Sequence, residues 1–190
     1  KIFYFGNVEE VSLNLEKIVG DRMKQEKTNV MRILDQKKIK YQEYFYGNTS
    51  AISGVDVAKV LNEDGRKVFK TLVTVAKSKK NYVFMIPVKE ELDFKKCAKS
   101  VGEKSIEMIP QKELFPLTGY IHGGCSPIGL KKPFLVTIDS SAKNFSSLIF
   151  SGGKIGYQVE VDLKDLAKVI HYQFAEVTKD RKETKWIEIF

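Results

Sequence analysis

The 190-residue sequence predicts an α/β (mixed) fold, or its α+β variant, built on a mixed sheet in a single domain with extensions at both ends. Three observations predict it. β-rich runs and helical stretches intermix along the chain without an internal repeat or a low-complexity linker. The 43% hydrophobic and 29% charged content is that of a globular protein with one core. No apolar run reaches the roughly 20 residues needed to cross a bilayer. Residues 1–26 read as an N-terminal extension, 27–178 as the domain and 179–190 as a C-terminal tail.

Within the extension, Val11, Leu13, Leu15, Ile18 and Val19 fit a strand passing into a short helix that ends near Gly20. Thr28 is placed to cap a helix whose apolar face is Val30, Ile33 and Leu34, with the stem of Lys37. KIKYQEYFY then alternates as a strand, and VDVAKVLN has helical spacing at Val57, Val60 and Leu61 before an NEDG turn. VFKTLVTVA and YVFMIPV, separated by KSKKN, form the pattern of an antiparallel hairpin.

DFKKCAKSVG is a helix capped by Asp93 and stopped at Gly102, with Phe94, Cys97, Ala98 and Val101 on one side. PQKELFPLTG is a short helix or turn, and PFLVTID, SSLIFSGG and YQVEV supply strands. VDLKDLAKVI is a helix capped by Asp162, with Leu163, Leu166, Ala167 and Ile170 as its buried stripe. HYQFAEV adds a strand, TKDRKETK a charged turn and WIEIF a last strand.

A net charge of +8 suits a polyanionic partner, because lysines facing phosphates gain affinity by counterion release. Cys97 and Cys125 offer no CxxC spacing and no partner histidine pair, so neither a disulfide framework nor a zinc site is indicated. The apolar IFYF stretch is too short for a signal-peptide core and gives secretion no support, and the cysteine usage sets the expectation of a reducing, cytoplasmic setting.

Lys70 is the one charge in its strand, flanked by hydrophobes on both faces. Burying an ammonium costs several kcal/mol unless it is paired, so a lysine there is at a strand end, snorkels or has a task. The loop GYIHGGCSPIGLKK (119–132) is open to three readings. A nucleophile drawn from Cys125 or Ser126 with His122 as base needs a third, orienting group. A phosphate-binding GxxxxGK[ST] loop does not match. A backbone-lined wall uses the glycines, which let main-chain groups approach a ligand, and SGGKIG (151–156) repeats that theme.

Taken in order, FKTLV (69–73), DFKKCAKSVG, TGYIHGGCSPIGLKK (118–132), VTIDSSA (136–142), IFSGGKIG (149–156) and DLKDLAKVI (162–170) resemble the YbaK/EbsC family of trans-editing aminoacyl-tRNA deacylases, over about residues 28–175. The resemblance implies a β-barrel-like mixed sheet wrapped by helices. It also implies a hydrolase, without cofactor or metal, that clears Cys, Ala or a related small amino acid from tRNA, most characteristically tRNA(Pro). Partners implied are the aminoacylated tRNA acceptor end and prolyl-tRNA synthetase, with no membrane.

Carried over residue by residue, the family's catalytic lysine falls on Lys70, followed by Thr71. Its glycine-serine-proline loop falls on Gly123, Gly124, Ser126 and Pro127, and further substrate-binding positions fall on Tyr46, Ser151 and Gly152. Lys131, Lys132 and Lys154 would form an RNA-binding rim. The family chemistry implied is substrate-assisted: the thiol of a cysteinyl ester attacks its own carbonyl while the pocket orients it.

Many relatives carry aliphatic residues at His122 and Cys125, arginine at Ile155 and a small acidic or polar residue at Gln158, which leaves the substrate amino acid open. His122 and His171 read most simply as structural. The competing expectation is a noncatalytic module that uses the same pocket to bind RNA or a synthetase.

Overall fold

The structure, a computed structural model, describes residues 27–46 and 65–180. The expected elements before Lys27, the VDVAKVLN helix with most of its NEDG turn, and the final WIEIF strand lie outside the described residues. Four helices and eight strands build a mixed α/β body among the described residues. No helix there is long and apolar enough to cross a membrane.

Helix α1 (Asn29–Gln36) starts where Thr28 Oγ1 accepts the Met31 N–H at 3.3 Å. It buries Val30, Met31 and Leu34, whereas Lys37 is exposed. The expected stem burial fails because the helix has ended: Lys38 turns at φ 56° and Ile39, 6% exposed, takes the inward place.

Strand β1 (Tyr41–Phe45) joins β7 (Tyr157–Asp162) and β6 (Ser147–Ser151) in an antiparallel sheet of order β1-β7-β6. A five-stranded sheet has the order β4-β2-β3-β5-β8, formed by β2 (Phe69–Ala76), β3 (Asn81–Pro87), β4 (Ile106–Met108), β5 (Val136–Asp139) and β8 (Tyr172–Ala175). The hairpin expected from VFKTLVTVA and YVFMIPV is the antiparallel β2–β3 pair, and β3, β5 and β8 run parallel. The sheets meet where Val68 bridges Ile149, so the strands curl round a shared core.

The two-residue period of β2 then sorts its side chains. Phe69 and Val73 enter the core between the sheets, while Leu72 and Ala76 pack in a second core with Phe84, Ile86 and Cys97. Helix α2 (Phe94–Ser100) covers that second core and is capped by Asp93, whose Oδ1 accepts the N–H groups of Lys95 and Lys96 at 2.9 and 3.1 Å. Its expected apolar stripe is shorter at the front: Phe94 is 41% exposed, because Leu92 already fills the inward place two residues earlier. Helix α3 (Gln111–Thr118) confirms the short helix. Helix α4 (Leu163–Leu166) is one turn capped by Asp162 and buries Leu166, and Ala167 is exposed rather than part of a stripe. The chain has to turn there to deliver β8 to the sheet edge.

Glu160 on β7 ties the three-stranded sheet together. It accepts from Tyr44 Oη at 2.7 Å, from Ser147 Oγ at 2.5 Å and from the Lys67 ammonium. Burial alone would raise its pKa, but these three donors outweigh burial and hold it below the ordinary value of 4.5. A carboxylate lowered in the fold adds stability above the unfolded pKa and loses it as pH falls through the folded one. Urea denaturation at pH 7 and pH 3 is expected to show a steeper acid loss for the wild type than for Glu160→Gln.

Candidate functional site

The pairing of β2 leaves part of one edge open. The Val88 N–H donates to Val68 O and the Ala76 N–H to Lys80 O, so in an antiparallel ladder the even-numbered residues of β2 face β3. The main-chain groups of Thr71 and Val73 therefore face the other edge. Strand β4 covers that edge only from Thr74 to Ala76, and Val73 O accepts the Ile109 N–H at 3.3 Å. Beside the uncovered stretch lies a cavity of about 530 Å³, within the usual size of a small-molecule site.

The cavity brings together Lys70 and Thr71 from β2, Tyr46 after β1, Ser151 at the end of β6, Gln158 of β7, and His122, Gly123 and Cys125 of the glycine loop. Tyr46 is positioned by its N–H, which donates to Gly156 O at 2.9 Å. Lys70 Nζ, half-buried, donates to Val88 O at 3.2 Å. Burial pushes the Lys70 pKa down, and the carboxylates of Glu91 and Glu90 oppose that shift.

Two oxygens sharpen the chemistry. Thr71 Oγ1 and Gln158 Oε1 are buried and make no hydrogen bond within the protein, and both residues line the cavity. A buried polar atom left unpaired costs about 1–3 kcal/mol, so two such oxygens on one cavity mark where a ligand or solvent supplies the partner. A lysine donor and two waiting oxygens suit a ligand with both a carbonyl and an amine.

The other expected binding positions stand outside the lining. Gly124 packs behind it, where a Cβ would lie 3.4 Å from the Ile155 backbone N, so the two glycine loops rest on each other. Ser126 is fully buried, with Oγ accepting the Ile128 N–H at 3.4 Å, and Pro127 is buried beside it. Gly152 is buried against Tyr157. Lys131, Lys132 and Lys154 are exposed and do not line the cavity. Lys154 Nζ sits 5.8 Å from the Tyr157 ring centroid.

The thiol reading loses ground on electrostatics. Burial pushes the Cys125 pKa up to about 12, the reverse of what a nucleophilic thiolate needs. Cys97 is likewise pushed up to about 12, chiefly by burial. His122 is exposed at the cavity mouth, and His171 is exposed before β8. Among the described residues, no group of three or more His, Cys, Asp or Glu is placed to hold a metal ion.

The wall formed by Met108, Ile109, Gln111 and Leu114 was not expected from the sequence. The i, i+3 spacing of Gln111 and Leu114 in the short helix is the signal that marks it. A second cavity of about 550 Å³ includes Arg66, Lys89, Asp139 and Lys179 in its lining. Asp139 is already used there, accepting from Ser141, Val177 and Thr178, so the first cavity is the better candidate.

A family model described as the aminoacyl-tRNA editing domain matches residues 49–169. The chain is 43% identical over 155 residues to an Enterococcus faecalis protein named "Putative Cys-tRNA(Pro)/Cys-tRNA(Cys) deacylase EbsC", covering 81% of this chain and 94% of that protein. It is 26% identical over 134 residues to the proline–tRNA ligase of Thermosipho africanus, covering 70% of this chain but only 21% of the ligase. A solved structure described as "a putative trans-editing enzyme for prolyl tRNA synthetase" superposes with a TM-score of 0.68 at 21% identity, covering 80% of this chain and 99% of that one. A hypothetical protein superposes with a TM-score of 0.70 at 17% identity, covering 80% of this chain and all of the other. At these identities the two structures share the fold.

Proposed function

The chain belongs to the aminoacyl-tRNA editing domain family, and from that premise we propose that it hydrolyses, in trans, the ester of mischarged tRNA, with Cys-tRNA(Pro) or a related small aminoacyl-tRNA as substrate. The observation that carries this reading is one cavity lined by Lys70 and by Thr71 and Gln158, whose buried oxygens make no hydrogen bond within the protein. The aminoacyl amine donates to the two oxygens. Lys70 donates to the ester, and the main chain at Gly123 closes the wall. Lys131, Lys132 and Lys154 meet the acceptor-end phosphates, and the reaction runs in the cytoplasm, where charged tRNA is made.

The chemistry rests on positioning. For a cysteinyl ester, the substrate sulfur attacks its own carbonyl carbon, a C–S bond forms and the bond to the ribose oxygen breaks. The thiol proton ends on that oxygen, and water then opens the thiolactone. The sulfur and the carbonyl already belong to one molecule, so the pocket contributes by holding the conformer in which they meet. Lys70, giving up its bond to Val88 O, stabilises the charge that develops on the carbonyl.

A panel of Cys-, Ala-, Ser- and Pro-tRNA(Pro) incubated with the purified protein tests the reading, with the cysteinyl ester expected to be cleared fastest. A protein that binds charged tRNA and clears none of the four is instead the noncatalytic RNA- or synthetase-binding module. Cys125→Ala is expected to keep the rate within about tenfold, since no step uses its high-pKa thiol. A loss beyond about 10³-fold in a folded variant would replace substrate assistance with an enzyme thiol.

A further inference from the structure

Helix α3 presents Gln111, Leu114 and Phe115 on one stripe, at i, i+3 and i+4. The first two line the cavity, and Phe115 continues the stripe past its mouth with 55% of the residue exposed. Lys131 is fixed over this ring: its Nζ lies 4.8 Å from the centroid and donates to Phe115 O at 3.4 Å. Its stem runs so close to Gly119 that a Cβ there would lie 3.3 Å from Lys131 Cε and Cγ. An exposed aromatic ring with a cation anchored over one side of it, at the entrance to a cavity, combines the two elements by which proteins hold single-stranded nucleic acid: a stacking surface and a phosphate contact.

We propose that Phe115 and Lys131 form a platform for an unpaired nucleobase preceding the 3′-terminal adenosine of the RNA, the ring stacking on the base and the ammonium meeting its phosphate. This rests on the editing reading, which places the terminal adenosine at the cavity. A nucleic acid fits better than a protein partner, because lysines are depleted from protein interfaces, whereas Lys112 and Lys132 add to Lys131 here. Glu113, the acid of the helix, lies on another stripe, two residues from Phe115.

The test uses the full chain and an uncharged RNA microhelix ending in CCA, with 2-aminopurine replacing the base before the terminal adenosine. Wild type is expected to quench the probe. Phe115→Ala is expected to lose the quench and to weaken binding about tenfold, and Phe115→Trp to restore both. The ring is exposed, so neither variant threatens the fold. An undiminished quench with Phe115→Ala, or a variant that fails only in binding a protein partner, overturns the platform. Hydrolysis is scored separately on charged tRNA. A protein that clears no ester yet shows the Phe115-dependent quench removes the editing reading and keeps the platform, whereas rapid hydrolysis with a Phe115-independent quench does the reverse.

Discussion

Lys70→Ala is expected to slow amino-acid release from Cys-tRNA(Pro) by about 10²–10³-fold, the usual loss when one preorganised donor to a developing oxyanion is removed. The same site predicts that stability does not fall with activity. Burial lowers the Lys70 pKa, so the fold disfavours the charged form. Between the lowered folded value and the ordinary 10.5, the unfolded chain binds more protons and stability rises with pH. Below that window the penalty for holding the ammonium is present in full. Lys70→Met, which keeps the apolar stem and drops the charge, is therefore expected to be at least as stable as wild type at pH 7 while being slowed as much as Lys70→Ala. Single-turnover deacylation and urea denaturation read the two effects, and hydrolysis by either variant at the wild-type rate would remove Lys70 from the mechanism.

Gly153→Ala is expected to destabilise the protein by about 2–5 kcal/mol, made up of roughly 1–2 for a side chain in the left-handed region and roughly 1–3 for overpacking. Gly153 has φ 87°, and a Cβ there would lie 2.7 Å from Val30 Cγ2 and 3.1 Å from Tyr120 Cε1. Val30 is fully buried in the main core and its short branched side chain cannot retreat. Gly102→Ala supplies the control, since Gly102 has φ 71° and nothing within 4 Å of a Cβ. Its cost is the backbone part alone, about 1–2 kcal/mol. Equal losses in urea denaturation would show that α1 does not press on the β6–β7 turn. That turn joins Ser151 to Gln158, so the Gly153 variant is also expected to raise KM more than the Gly102 variant.

Part of the candidate cavity's lining is legible in the sequence, as are the helix starts, for local reasons. Thr28, Asp93 and Asp162 cap their helices because a short oxygen-bearing side chain ahead of an apolar period satisfies the free N–H groups of a first turn. Lys70 stood out because a lone charge in an apolar strand is costly wherever the strand goes. The ends of apolar stripes were read less well. Phe94, Lys37 and Ala167 continue a helical period in sequence but are exposed, since Leu92, Ile39 and the turn into β8 settle what lies inward.

Within the glycine loop, residue type alone could not separate lining from support. Gly123 lines the cavity and Gly124 braces the neighbouring loop, although both are glycines in one run. The mixed α/β class, the β2–β3 hairpin and the position of the half-buried lysine follow from the local sequence, because patterning, caps and turns act over a few residues. That β2 keeps an open edge at Thr71, that Gln158 reaches the same cavity with an unpaired oxygen and that α3 walls the space depend on how distant segments pack. Those features arise from pairings such as Val68 with Ile149, which lie far apart in the chain and leave no local period to read.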